Sequence, residues 1–339
     1  MLITTESSNH IREAIPAKAM VNAIAITYTF FSYLTGIALL TCSSVGLNIL
    51  GVLLLTHSLL YSAFLSHEFM HSNVFKSRNR NRIFGNLMLW LNGGCYYGFK
   101  ALTLQHIAHH VDRADIFTFD IPTAIAQQPY LIRQAIFTLE WLYFPIIGFW
   151  SRWRGILAPW WSQDPYHERI RVALIIIIRV SLFTLLGLVS LRGLLLYFLA
   201  YITMITVLRW VDAFQHTYEA FPPGTILPKR DRTHEQTHTF SNLISHRYPW
   251  LNLLILNFGY HNAHHVSMTC PWYNLPQLNR QLAQEQPINY IHLYQQLINY
   301  HRFRLLRLIK GQGEAINKSG NRDFAQFYGA VDVSFLMLY

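Results

Sequence analysis

Four long apolar runs constrain this chain more than any other feature. They come in two pairs: Met20 to Cys42 with Val45 to Leu65, and Val172 to Ser190 with Gly193 to Trp210. Each approaches the ~20 residues needed to cross a hydrocarbon core. Inside lipid the backbone must satisfy its own polar groups, so runs of this kind fold as helices. Only two serines separate the first pair, and the second pair meets at "LRG" (Leu191 to Gly193). Connections this short turn the chain straight back, making two hairpins whose polar flanks share one side. Composition agrees, with 52% of residues hydrophobic and 13% charged, where soluble domains carry about 25% charge.

The two short connections hold one basic residue, Arg192, whereas the segments Lys76 to Lys100 and Lys229 to Arg247 hold many. An excess of Lys and Arg marks the cytoplasmic side, which places both termini and the long polar segments there. The net charge of +10 then reads as attraction to anionic lipid, not to nucleic acid. Arg179 interrupts the third run and is costly against lipid, so it is expected to face the bundle or snorkel. Two shorter stretches, Ile83 to Phe99 and Gln134 to Trp150, are rich in Trp and Tyr and read as helices in the membrane surface. The expected fold is an all-α integral membrane protein, with four transmembrane helices in two hairpins, interfacial helices and a cytosolic histidine-rich cap. Residues 1–19 form a polar cytosolic lead-in without a secretory pattern. Residues 20–310 form the membrane domain, and 311–339 a loosely ordered tail ending in "VSFLMLY", which has no assigned role.

Histidine is abundant at 17 residues, equal to Asp and Glu together. The three cysteines, Cys42, Cys95 and Cys270, are too scattered for a disulfide framework or a cysteine zinc site. Three histidine clusters sit beside the apolar runs: "HEFMH" (His67, His71), "HIAHH" (His106, His109, His110) and "HNAHH" (His261, His264, His265). Residues at i, i+3 and i+4 project from one helix face, so each cluster presents two or three imidazoles to a common point. Imidazole suits iron, zinc, copper and nickel. His216, just past the fourth run, is a ninth candidate, with Asp212 one turn earlier placed to bind through water or to orient it. All four groups emerge on the same membrane face. His10, His57, His167, His292 and His301 are isolated and carry no assigned role.

"HEFMH" and "HEQTH" (His234 to His238) both match the HExxH zinc-protease pattern. That reading leaves both HxxHH clusters without work, so His234 and His238 are expected to be dispensable.

The three clusters, in this order, resemble the histidine boxes of the membrane fatty acid desaturase and hydroxylase superfamily, over roughly Met20 to Gln281. The resemblance implies two iron ions on the cytosolic end of a four-span bundle, O2 as co-substrate and a lipid acyl chain as substrate. Carried over by position, the ligands are His67, His71, His106, His109, His110, His261, His264 and His265. Stearoyl-type members add a histidine after the fourth span, which His216 matches, with Asp212 where they have asparagine. A haem-binding HPGG stretch is lacking, so electrons are expected from a separate, ferredoxin-like donor. Desaturation of acyl lipids or thioesters is the leading expectation. Hydroxylation or ketolation of lipids, alkanes or carotenoids stays open, and a membrane zinc metalloprotease is the remote alternative. "YYGF" (Tyr96 to Phe99) and "LRWVDAF" (Leu208 to Phe214) are candidate walls of a substrate channel.

Overall fold

The computed structural model describes residues 19–117, 119–161, 166–317, 319 and 321–331. The first hairpin consists of α1 (Ala19–Thr41) and α2 (Val45–Met70). Asn48 closes its turn by donating to the carbonyls of Leu39 and Cys42 at 2.9 and 3.0 Å. Small residues let the two backbones approach, as in membrane helix pairs generally. A Cβ on Gly36 would lie 3.0 Å from Leu55, and one on Gly51 would lie 3.0 Å from Leu39. The second helix runs past the expected Leu65, so that His67 and His71 lie on its last turn and C-cap.

Next come α3 (Arg78–Asn92), a 3-10 turn (Gly94–Tyr96) and α4 (Phe99–Asp112). The stretch Ile83 to Phe99, expected as one interfacial helix, is therefore broken. Gly93 and Gly98 both have φ +79°, a conformation that glycine tolerates, and they bracket the 3-10 turn. In α3, Gly85 lies against the ring of Phe99, so close that a Cβ would overlap it at 2.1 Å. This contact seats the start of α4, which carries the second histidine cluster. The short β1 (Asp115–Ile116) follows, then α5 (Ile121–Ala126), α6 (Tyr130–Trp141) and α7 (Ile146–Leu157). The second expected interfacial helix is also divided, at Tyr143 with φ 63° and Pro145, the N-cap of α7.

The second hairpin is α8 (Tyr166–Val189) and α9 (Leu191–Asp212), joined at Ser190, whose hydroxyl accepts from the Gly193 N–H at 2.9 Å. Arg192 donates to the carbonyls of Cys42 and Ser43, tying the two hairpin turns together. Arg179 faces inward, donating to the Trp90 carbonyl at 2.7 Å. These four helices are long and apolar enough to cross a membrane, and the architecture is that of an all-α membrane protein. Its main core joins α1, α2 and α9 through Leu40, Leu55, Leu59, Ala200 and Met204, all fully buried or nearly so.

Beyond α9, β2 (Ala220–Phe221) pairs in parallel with β1. The cap continues through α10 (Arg232–Thr237), a 3-10 segment (Pro249–Ile255), α11 (His261–Val266), α12 (Leu275–Glu285), α13 (Leu293–Arg302) and α14 (Leu306–Lys310). The tail is not loose up to residue 331. It forms an antiparallel hairpin of β3 (Gly313–Ile316) and β4 (Arg322–Phe327), because Ala315 and Phe327 bury against Ala213, Phe214 and Phe240. Residues 1–18, which make up most of the lead-in, and the "VSFLMLY" stretch lie outside the described residues.

Candidate metal centre

The end of α2, the last two turns of α4, the chain just after α9, and α11 bring nine histidines together. His67, His71, His106, His110 and His264 each offer a ring nitrogen within 4.8 Å of the others. The Nε2 atoms of His71 and His106 lie 2.8 Å apart, those of His106 and His110 3.1 Å, and those of His110 and His264 3.2 Å. The His67 ring packs edge-on at 4.6 Å from that of His71 and 4.5 Å from that of His106. A second group, His109, His216 and His265, meets the same 4.8 Å limit. His261 joins it, with Nε2 2.7 Å from His216 Nε2. The two nests adjoin where the His110 and His265 rings lie 4.2 Å apart.

Three of the outer nitrogens are anchored. His109 Nδ1 donates to Asp115 at 2.8 Å and His265 Nδ1 to Glu235 at 3.1 Å. Thr239 donates its hydroxyl proton to the Glu235 carbonyl at 2.7 Å, so it can only accept from His216 Nδ1, 3.3 Å away. These bonds fix the tautomers of His109, His216 and His265 and turn the lone pair of each Nε2 toward the nest, the arrangement by which carboxylates orient metal-bound histidines. Burial drives the pKa of His71, His106, His110, His216, His261 and His265 well below the ordinary imidazole value. His264 is lowered to about 3 by burial and by the neighbouring His109. At neutral pH these groups are uncharged donors.

A family model described as fatty acid desaturase matches residues 44–296. The chain belongs to the fatty acid desaturase family. Over 218 residues it is 27% identical to a beta-carotene ketolase from a Paracoccus species, covering 62% of this chain and 71% of that protein.

Among desaturase-family features, all three boxes and His216 converge in this chain. Asp212 is buried at the end of α9, but the hydrogen-bond partner of His216 Nδ1 is Thr239. His234 and His238 stand apart from both nests and stack on each other at 4.0 Å. The glutamate between them does reach the site: Glu235 is 4% exposed and binds both His265 and Arg113. Asp115, Glu235 and Thr239 were not anticipated from the sequence. Glu235 and Thr239 approach their histidines only through tertiary folding, and Asp115 only through the left-handed turn at Arg113, φ 54°. As to channel walls, Tyr96 to Phe99 line a cavity of about 790 Å³. Leu208, Val211, Ala213 and Phe214 are instead packed into the cores.

The donor set fits a metal. The Nε2 of His265 is buried without a hydrogen-bond partner, which costs ~1–3 kcal/mol when nothing replaces water, and the Nε2 atoms of His71, His106, His110 and His264 turn toward one another at 2.8–3.2 Å. A cation shared among converging lone pairs relieves that cost, and an all-imidazole set suits iron, zinc or copper over magnesium or calcium.

Proposed function

We propose that this desaturase-family protein is an integral membrane oxidase that uses O2 and two iron ions to oxidise a hydrocarbon chain of a membrane lipid. The observation that carries the reading is the pair of adjoining histidine nests: nine imidazoles are too many for one ion, and they divide into two groups. His67, His71, His106, His110 and His264 would hold one iron, and His109, His216, His261 and His265 the other. Bound iron supplies the oxidising power to remove hydrogen from an unactivated C–H bond, which no side chain provides. The chain's own residues keep the imidazoles neutral, fix the tautomers of His109, His265 and His216 through Asp115, Glu235 and Thr239, and close the site to water. Electrons come from a separate, ferredoxin-like donor, and the nests face the cytoplasm with the termini.

Acyl-chain desaturation is the first reading, supported by the family match over residues 44–296. Ketolation of a carotenoid ring is the second, favoured by the similarity to the Paracoccus ketolase. Expression in cells that contain both acyl lipids and β-carotene separates them. Gas chromatography of acyl chains is expected to show a new double bond, absent when His264→Ala replaces the parent. A carotenoid ketone by liquid chromatography, with unchanged acyl chains, moves the protein to the second reading. No oxidised lipid of either kind, from protein loaded with iron and supplied with donor, contradicts both.

A further inference from the structure

The cavity of about 790 Å³ is not part of the histidine site. It lies between α3, the Tyr96–Phe99 turn, the start of α4, α7 and the first turns of α8. From α4 it takes Lys100, Ala101 and Leu104. At 3.6 residues per turn these lie across the helix from His106, His109 and His110. Burial agrees, since Lys100, Ala101 and Leu104 are exposed whereas His106 and His110 are buried.

Four cations line it, Arg82, Lys100, Arg154 and Arg171, against one described carboxylate, Glu168. Arg171 and Glu168 neutralise each other at 2.7 Å, and Arg171 also donates to the carbonyls of Cys95 and Tyr96. Among the described residues the Arg82 side chain donates only to the amide oxygen of Asn79, and the Arg154 guanidinium lies over the ring of Phe119 at 4.6 Å. No described carboxylate pairs with Arg82, Lys100 or Arg154. The remaining wall is aromatic and aliphatic, including Tyr97, Phe99 and Trp161. Leu104 in its wall is 62% exposed, and Ile83 and Leu87, on the α3 segment that supplies Arg82 and Asn86, are 48% and 41% exposed. The cavity thus sits where the third candidate span begins, with a tryptophan, Trp161, of the kind that marks the membrane–water boundary.

We propose that this cavity seats the phosphate headgroup of an anionic bilayer lipid, with its acyl chains running along Ile83, Leu87 and Leu104. A nucleic acid has no use for that apolar flank, whereas a phospholipid at the start of a membrane span matches both ends. Basic pockets between membrane helices recognise headgroups by this chemistry. The proposal is independent of which bond the enzyme oxidises, because the lipid lies across α4 from the histidines.

The test is native mass spectrometry of the full chain in mild detergent, titrated with phosphatidylglycerol, phosphatidylcholine or inorganic phosphate. One phosphatidylglycerol per chain is expected, with much weaker retention of phosphatidylcholine. The double variant K100Q/R154Q is expected to weaken phosphatidylglycerol binding about thirty-fold, from two lost cation–phosphate contacts. K76Q/R78Q removes the same charge outside the cavity and is expected to leave it nearly unchanged. Equal retention of the two lipids overturns the proposal, as does equal weakening in both double variants. Inorganic phosphate displacing the lipid at equal concentration reduces the cavity to a small-anion site and also overturns it. The ligand titrations of the parent protein decide the matter even if a variant expresses poorly.

Discussion

Glu235 holds His265 through one carboxylate oxygen and Arg113 through the other. Burial pushes its carboxyl above the usual range, against the pull of Arg113. Removing such an anchor from a metal-bound histidine costs roughly 10–100-fold in metal affinity or activity. Glu235→Ala is accordingly expected to lower metal retention by that factor in a chelator competition, with the protein still inserted. His234→Ala with His238→Ala, on either side, is expected to leave metal content unchanged. The reverse pattern would mean that the ligand assignment is wrong. At this scale the sequence was most legible for the histidines themselves, since i, i+3, i+4 spacing places imidazoles on one face whatever the tertiary fold. It was silent on Glu235 and Thr239, more than twenty residues from the histidines they touch. Spacing placed Asp212 to bind metal through water or to orient His216, and the bond at His216 Nδ1 is made by Thr239.

Among the elements, the C-terminal hairpin reaches back to the segment that carries His216. The Ala330 N–H donates to the Ala213 carbonyl at 2.8 Å, and Gln312 donates to the Tyr218 carbonyl at 2.7 Å. Phe327 is fully buried against Phe214 and Phe240. Phe327→Ala is expected to cost about 3–5 kcal/mol, read as a lower Tm, and to loosen the metal nearest His216 before the other. A Tm equal to that of the parent would show that the hairpin is not a brace. The hairpin was hidden in the sequence because its strands are short and polar, and only Ala315 and Phe327 bury, on surfaces that tertiary folding creates. The breaks in the two interfacial stretches were hidden in a different way. Aromatic composition marks the boundary, but left-handed Gly93 and Tyr143 decide where the helix stops. In the membrane, Gly51→Leu is expected to force α1 and α2 apart and destabilise by about 1–3 kcal/mol. The readout is the thermal melt in detergent, and an unaltered melt would contradict the close approach at Gly36 and Gly51.

At the scale of the molecule, two hairpins and a polar cap were legible because a run of about twenty apolar residues has few alternatives in lipid. The folded cap carries a pH dependence of its own. In the metal-free protein His264 is lowered from 6.5 to about 3, and the other buried imidazoles outside the spans shift the same way. The unfolded chain therefore takes up protons that the folded one refuses as pH falls below about 6.5. Stability of the metal-free protein is expected to be full above that value and to decline steadily toward pH 5, seen as a falling Tm. A Tm that rises on acidification would contradict neutral, buried donors. Protons also compete for the same nitrogens as metal, so chelators should strip the protein faster at the lower pH. The central claim is that nine imidazoles form two adjoining iron sites in one chain, and elemental analysis of protein purified aerobically in mild detergent tests it most directly. Two iron atoms per chain are expected, falling toward one or none with His264→Ala; stoichiometric zinc, or fully folded protein without metal, would contradict it.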